Sequence, residues 1–318
     1  MKNSFKKIVK ALLVVIVLCV GCCVFGGVYL VHTTLQTKQG QDMIGSRSYI
    51  CEQYPYMTQW LDSVETRGLM RDTFLLNKEG LRLTGKFIPA ARSTRRTAVV
   101  VHGYTDNSYR IMQIGNMYSQ VLGYNVLLPN LQYHGDSEGD EIQMGWKDRL
   151  DVLEWMDLAN TIFGGNTEMV VHGISMGAAT TMCVSGEKAP PYVRCFVADC
   201  GYTSVWDQFS DALEKTYGLP TFPLLDVASF FCELQFGWNF KEASPLEQVK
   251  KCALPMFFIH GTKDDYVPTW MMRPLFEAKP GEKDLWYVDG AVHAVSYKEN
   301  REEYTTRVKA FNDQYMRD

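Results

Sequence analysis

The most constraining stretch of this 318-residue chain is Met169-Val170-Val171-His172-Gly173-Ile174-Ser175-Met176-Gly177-Ala178-Ala179. An apolar run of strand character passes through a Gly-x-Ser-x-Gly turn into small residues that can open a helix, so Ser175 falls where the backbone changes direction. The flanking glycines carry no Cβ, which lets neighbouring backbone approach a serine held at unfavourable φ/ψ. A hydroxyl placed there points away from the sheet, at the start of a helix whose first N–H groups face developing negative charge. The same residues also fit a plain strand-to-helix junction with Ser175 as an N-cap. The rest of the chain has to decide between them.

Around this turn, short apolar runs alternate with helical patterns. Residues 97–101, 125–128, 168–172, 193–198, 256–260 and 284–288 are predicted strands, and residues 111–121, 145–162, 176–185 and 297–315 predicted helices. The strands lack strict polar alternation, as expected for a mainly parallel sheet covered on both faces. Ligand chemistry in such a sheet gathers at the carboxyl ends of the strands. Residues 73–76 and 81–88 flank the turn Asn77-Lys78-Glu79-Gly80 and read as a hairpin extending one edge. Before it, residues 36–70 are expected to form a polar, irregular stalk followed by a short amphipathic helix, in which Tyr54, Met57, Trp60, Leu61 and Val64 recur at helical spacing. Residues 71–318 form the main body. Its one long interruption, about 201–244, carries two helical patterns separated by Pro220 and Pro223 and is rich in Phe and Leu. That is too structured for a plain connection and is expected to be a small helical cap whose aromatics supply an apolar pocket.

The first thirty-five residues are a different material. Lys2, Lys6, Lys7 and Lys10 precede twenty-one residues, 11–31, without a formal charge, long enough to cross the hydrocarbon of a bilayer. A retained single-pass anchor in a bacterial cell membrane is expected, with the lysines in the cytoplasm and the body outside. A cleaved signal peptide and a lipobox-like Val20-Gly21-Cys22 are the competing readings. Over the whole chain, 46% apolar and 21% charged residues fit a globular protein, and a net charge of -4 without basic blocks argues against nucleic acid as a partner. Cys51, Cys183, Cys195, Cys200, Cys232 and Cys252 are compatible with disulfides but spaced in no recognisable framework, and no paired Cys-x-x-Cys points to zinc.

Three strand ends carry residues suited to one reaction. Ser175 is the candidate nucleophile, weak unless a base lies nearby. His293, in Gly290-Ala291-Val292-His293 just beyond the last predicted strand, is the candidate base, able to take the serine proton and return it to a leaving group. Asp264, in Asp264-Asp265-Tyr266-Val267-Pro268, is the candidate acid that holds the imidazole tautomer, with Asp265 a close rival and Asp199 a lesser one. His102, His134, His172 and His260 adjoin glycines or strand ends, where packing accounts for them. The backbone N–H groups of Met176 and Tyr104 are the candidate oxyanion donors. No metal or organic cofactor is required by this chemistry.

In these motifs the chain resembles the α/β-hydrolase superfamily, and in particular a bacterial membrane-associated, esterase-like group of serine hydrolases. The shared features are His102-Gly103, the Gly173-Ile174-Ser175-Met176-Gly177 elbow, the Asp-Asp-Tyr-x-Pro acid loop and Gly290-Ala291-Val292-His293, over approximately residues 72–315. The resemblance implies a mainly parallel eight-stranded sheet flanked by helices, hydrolase activity, and Ser175, Asp264 and His293 as the triad, without implying one substrate. Where many relatives carry an acidic residue, this chain has Asn130 and Gln132, which can keep hydrogen bonds without the charge. The expected function is a carboxylesterase acting on small or medium acyl esters, with the bilayer as a partner through the N-terminal helix. A serine peptidase or aminopeptidase acting on peptides, and a catalytically silent binding protein of the same fold, are the alternatives.

Overall fold

The computed structural model describes residues 2–317. It opens with α1 (Lys2–Leu35), a 34-residue helix without acidic residues. Its outer part is exposed all round, but from Cys23 onward a stripe through Gly27, Leu30, Val31, Thr34 and Leu35 becomes covered. Steps of three and four residues place these on one face of a helix, and Val31 and Leu35 join the core of the body.

The expected irregular stalk is instead helical and docked. Residues 36–70 contain α2 (Met43–Gln53) and α3 (Thr58–Thr66), each adjoined by a short 3-10 turn. Asp42 caps α2 by accepting the Gly45 N–H. Arg47 ties α2 to α3 through Asp62 and Glu65, at 2.5 and 2.6 Å. The short helix expected around Trp60 is present, with Leu61 and Val64 buried. The polar character of the preceding segment misleads because its polar groups bond to the body rather than to water. The Asn107 amide donates to the Gly40 carbonyl and to Ser46 Oγ, and the Gly135 N–H also donates to Gly40.

The hairpin forms as expected from β1 (Arg71–Leu76) and β2 (Arg82–Ile88), and the Asn77 side chain accepts the Glu79 and Leu81 N–H groups to close its turn. The alternating pattern follows: β3 (Arg96–Val101), α4 (Met112–Asn116) running into a π turn, β4 (Asn125–Pro129), α5 (Asp148–Ile162), β5 (Glu168–Ile174), α6 (Met176–Ser185) and β6 (Val193–Asp199). Next come α7 (Val205–Tyr217), α8 (Leu224–Phe236), α9 (Pro245–Val249), β7 (Met256–Gly261), α10 (Met272–Ala278) and β8 (Lys283–Val288). The single closing helix expected over 297–315 is two, α11 (Ser296–Glu299) and α12 (Arg301–Tyr315), separated at Asn300.

The eight strands form one sheet in the order β1-β2-β4-β3-β5-β6-β7-β8. The β1–β2 and β2–β4 pairs are antiparallel and the rest parallel. Side chains alternate between two apolar layers. Val99, Val171, Phe196 and Phe258 face α5, α6 and α10, whereas Ala98, Val170, Val197 and Ile259 face α3, α4 and α12. Because both faces are covered, a period of two yields an unbroken apolar run. Each fully buried Val, Phe or Ile contributes on the order of 1.5–3 kcal/mol relative to exposure. This is the α/β-hydrolase architecture, and it brings the ends of β3, β5, β7 and β8 to one edge.

Candidate active site

The turn after β5 is built by close backbone approach. A Cβ on Gly173 would lie 2.0 Å from the Gly177 carbonyl oxygen, and one on Gly177 would lie 2.1 Å from that of Val101. Only hydrogens fit in those gaps, so α6 can start immediately against β3. Ser175 is thereby held at φ 58°, ψ -121°, a conformation a non-glycine residue rarely adopts. Its N–H donates to the Asp199 carbonyl at 2.8 Å. The side chain makes no capping bond to α6, so the plain N-cap reading does not apply and the hydroxyl is directed elsewhere.

That direction is His293. Its Nε2 lies 2.8 Å from Ser175 Oγ, and its Nδ1 lies 2.8 Å from Asp264 Oδ2. A proton on Nδ1 donated to the carboxylate leaves Nε2 as the acceptor for the serine hydroxyl. The loop carrying the imidazole turns at Gly290, φ 74°, whose N–H donates to Thr262 Oγ1 on the loop after β7. Asp264 is fixed from the other side, its Oδ1 accepting the Tyr266 and Val267 N–H groups at 3.1 and 2.9 Å. Burial pushes this carboxyl up, but His260, His293 and the Val267 amide outweigh it, and its pKa is held down to about 2. The carboxylate is therefore charged wherever the imidazole needs a counter-charge.

The competing residues have other partners. Asp265 is exposed, and its carbonyl accepts from Lys215. Asp199 accepts Tyr304 Oη at 3.0 Å and Ser296 Oγ at 3.3 Å beneath the sheet edge. Ser296, close in sequence to His293, is thus buried on a different acid. His172 lies between the Tyr118 and Tyr304 hydroxyls, and burial lowers its pKa to about 3. His102 donates to the Gly103 carbonyl and accepts the Leu131 N–H, while His134 donates to Gln132 and burial lowers its pKa to about 4. His260 donates to Val267, so it steadies the acid loop. His32 is exposed on α1. Asn130 and Gln132 keep hydrogen bonds in place of acids: Asn130 receives the Ser108 N–H, and Gln132 donates to Asp151.

Met176 is the first residue of α6, and the Gly103 Cα places a Cβ position 3.5 Å from Ser175 Cβ, so the loop bearing Tyr104 lies against the serine. The Tyr104 phenol donates to the Thr34 carbonyl on α1. That hydrogen bond ties α1 to the site. Sequence reasoning missed Tyr266 as a neighbour of the base, its ring centroid 4.9 Å from that of His293.

A cavity of about 250 Å³ opens onto Ser175. Its walls come from the 201–244 segment, through Phe209, Leu213 and Leu225, and from α1, through Leu30, Val31 and Leu35. The participation of α1 is not legible from composition; the only signal is the three-four spacing of its covered residues. No charged side chain lines the cavity among the described residues. Cys200, Asp264 and His293 offer three donor atoms within 4.8 Å of one another. The imidazole nitrogens are already engaged and burial pushes the Cys200 thiol up, which disfavours a thiolate–metal site.

Residues 131–318 match the model of the prolyl oligopeptidase family. The chain is 32% identical over 224 residues to the uncharacterized protein YqkD of Bacillus subtilis, covering 70% of this chain and 73% of that one. It is 24% identical to the uncharacterized membrane protein YNL320W of Saccharomyces cerevisiae, over 69% of this chain and 72% of the relative. Among solved structures it is similar to the Pyrococcus furiosus esterase Pf2001, with TM-score 0.64 at 22% identity, over 78% of this chain and 92% of that one.

Proposed function

The chain belongs to the prolyl oligopeptidase family and is a serine hydrolase of the α/β-hydrolase superfamily, and from that premise we propose that it is a membrane-anchored carboxylesterase acting on small or medium acyl esters. The observation that carries this reading is the Ser175–His293–Asp264 line of 2.8 Å contacts at the floor of a cavity without charged lining. Ser175 Oγ attacks the ester carbonyl carbon while its proton passes to His293 Nε2. The Met176 and Tyr104 N–H groups receive the oxyanion, each donor of this kind stabilising the transition state by roughly 3–4 kcal/mol. Collapse breaks the C–O bond, and the alcohol leaves with the proton from His293. Water, deprotonated by the same imidazole, then releases the acid and restores Ser175.

The alternative reading is a peptidase, and the family's name favours it. A site that fixes a peptide terminus needs a charged partner, and the uncharged lining supports acyl esters instead. A panel of p-nitrophenyl esters of increasing acyl length and aminoacyl amides decides the matter, with esters expected to turn over and amides not. Turnover of the amides with failure of every ester sinks the ester reading.

The anchor is α1, the one helix among the described residues long and apolar enough to cross a membrane. Its flanking lysines keep the N-terminus in the cytoplasm and place the body on the far side. Protease added to spheroplasts is expected to digest the body; a body protected until lysis means the opposite orientation.

A further inference from the structure

The anchor and the catalytic body are not separate in space. The uncharged stretch 11–31 is about 31 Å long at 1.5 Å per residue, which matches the bilayer hydrocarbon. Its last third is already packed on the body. A Cβ on Gly27 would sit 2.7 Å from Val227 Cγ1 and 3.0 Å from the Ala228 nitrogen, and one on Gly26 would sit 3.0 Å from Leu224 Cδ1. The beginning of α8 therefore lies against α1 at a level that is inside the membrane once α1 spans it. The uncharged loop Gly218-Leu219-Pro220-Thr221-Phe222-Pro223 leads directly into Leu224, the residue that meets Gly26. It presents Leu219 at 43% and Phe222 at 75% exposure, and α8 adds Phe230 at 60%. Large apolar side chains facing water are unfavourable, and facing lipid they are not.

The cavity continues the same surface inward. Leu30 and Val31 belong to the last turns of the uncharged stretch, and both line the cavity that holds Ser175. One helix thus contacts lipid on its outer part and forms the wall of the reaction chamber on its inner part. Resting on the ester-hydrolase reading above, we propose that the loop joining α7 and α8 and the apolar side chains of α8 beside it enter the leaflet nearest the body, and that the substrate is a lipid ester whose acyl chain passes along α1 from the bilayer to Ser175.

The test uses the full chain in vesicles of phosphatidylethanolamine and phosphatidylglycerol that include an alkyne-tagged phospholipid. A benzophenone amino acid replacing Leu219 or Phe230 is expected to give light-dependent lipid adducts, and one replacing Phe74, exposed on the far edge strand, is not. Equal labelling at all three positions, or none at Leu219 and Phe230, overturns the immersion. For substrate entry, Leu219→Asp combined with Phe230→Asp changes no residue that lines the cavity. This variant is expected to lose about tenfold or more in hydrolysis of 4-methylumbelliferyl oleate dispersed in the vesicles, because a carboxylate resists lipid. Its kcat/KM on soluble p-nitrophenyl acetate is expected to stay within about twofold of wild type. Equal losses on both esters, or no loss on the oleate, overturn entry from the bilayer. Lipid adducts in a protein that cleaves neither ester leave the immersion standing and overturn the ester reading together with the lipid substrate.

Discussion

Replacing Ser175 with alanine is expected to lower ester hydrolysis by on the order of 10⁴- to 10⁶-fold, the range found when a serine nucleophile is removed from a working triad. Fluorophosphonate labelling should vanish with it. The fold should survive, because alanine keeps a Cβ at the same strained φ of 58° and the lost side chain caps nothing in α6. Ser296→Ala is the paired control: that hydroxyl serves Asp199, and the variant should label normally. The readout is intact-protein mass after probe treatment, beside a thermal melt showing that both variants are folded. Persistent labelling of folded Ser175→Ala protein would place the nucleophile elsewhere and dismantle the reading of the elbow.

Asp264→Asn should cost roughly 10⁴-fold in kcat, since an amide does not enforce the imidazole tautomer that leaves Nε2 free to accept the serine proton. Asp265→Asn should stay within about threefold, its side chain being exposed and off the line of the triad. A stability signature accompanies the kinetic one. The folded pKa of Asp264, about 2, lies below the roughly 3.9 of an unfolded aspartate, so ionisation favours the folded state. That contribution is full above about pH 4 and is lost as pH falls through about 2; at neutral pH it is on the order of 2 kcal/mol. Denaturant unfolding of wild type and Asp264→Asn should show a gap at pH 7 that narrows below pH 4. A gap independent of pH would mean that the hydrogen bonds Asp264 receives in the folded loop do not favour its ionised form.

Much of the sheet was legible because its determinants are local. Residues 195–198 and 256–259 are apolar at consecutive positions, as strands sandwiched between two helical layers must be. The turn at Ser175 was legible for the same reason, since the two glycines that permit it lie within two residues of the serine. Segments stabilised from a distance were not legible. The stretch around Gly40 and Ser46 is polar and short of apolar periodicity, and its order comes from Asn107 and Gly135. The break at Asn300 was hidden because the apolar spacing runs straight through it.

Between the two adjacent aspartates the motif favoured Asp264 but kept Asp265 a close rival. Asp264 and Asp265 are the same residue type one position apart, and only the folded loop shows that the first takes the Tyr266 and Val267 amides and turns its other oxygen to His293. The amino-acid sequence by itself determined the elements, their order and the residue types able to do the chemistry, because propensity, periodicity and glycine placement act over a few residues. Tertiary structure put Asp264 rather than its close rival Asp265 within contact of His293, and it alone decided that the apolar N-terminal helix walls the cavity at Ser175. Both depend on contacts between positions tens to hundreds of residues apart, and short-range pattern carries no record of such distances.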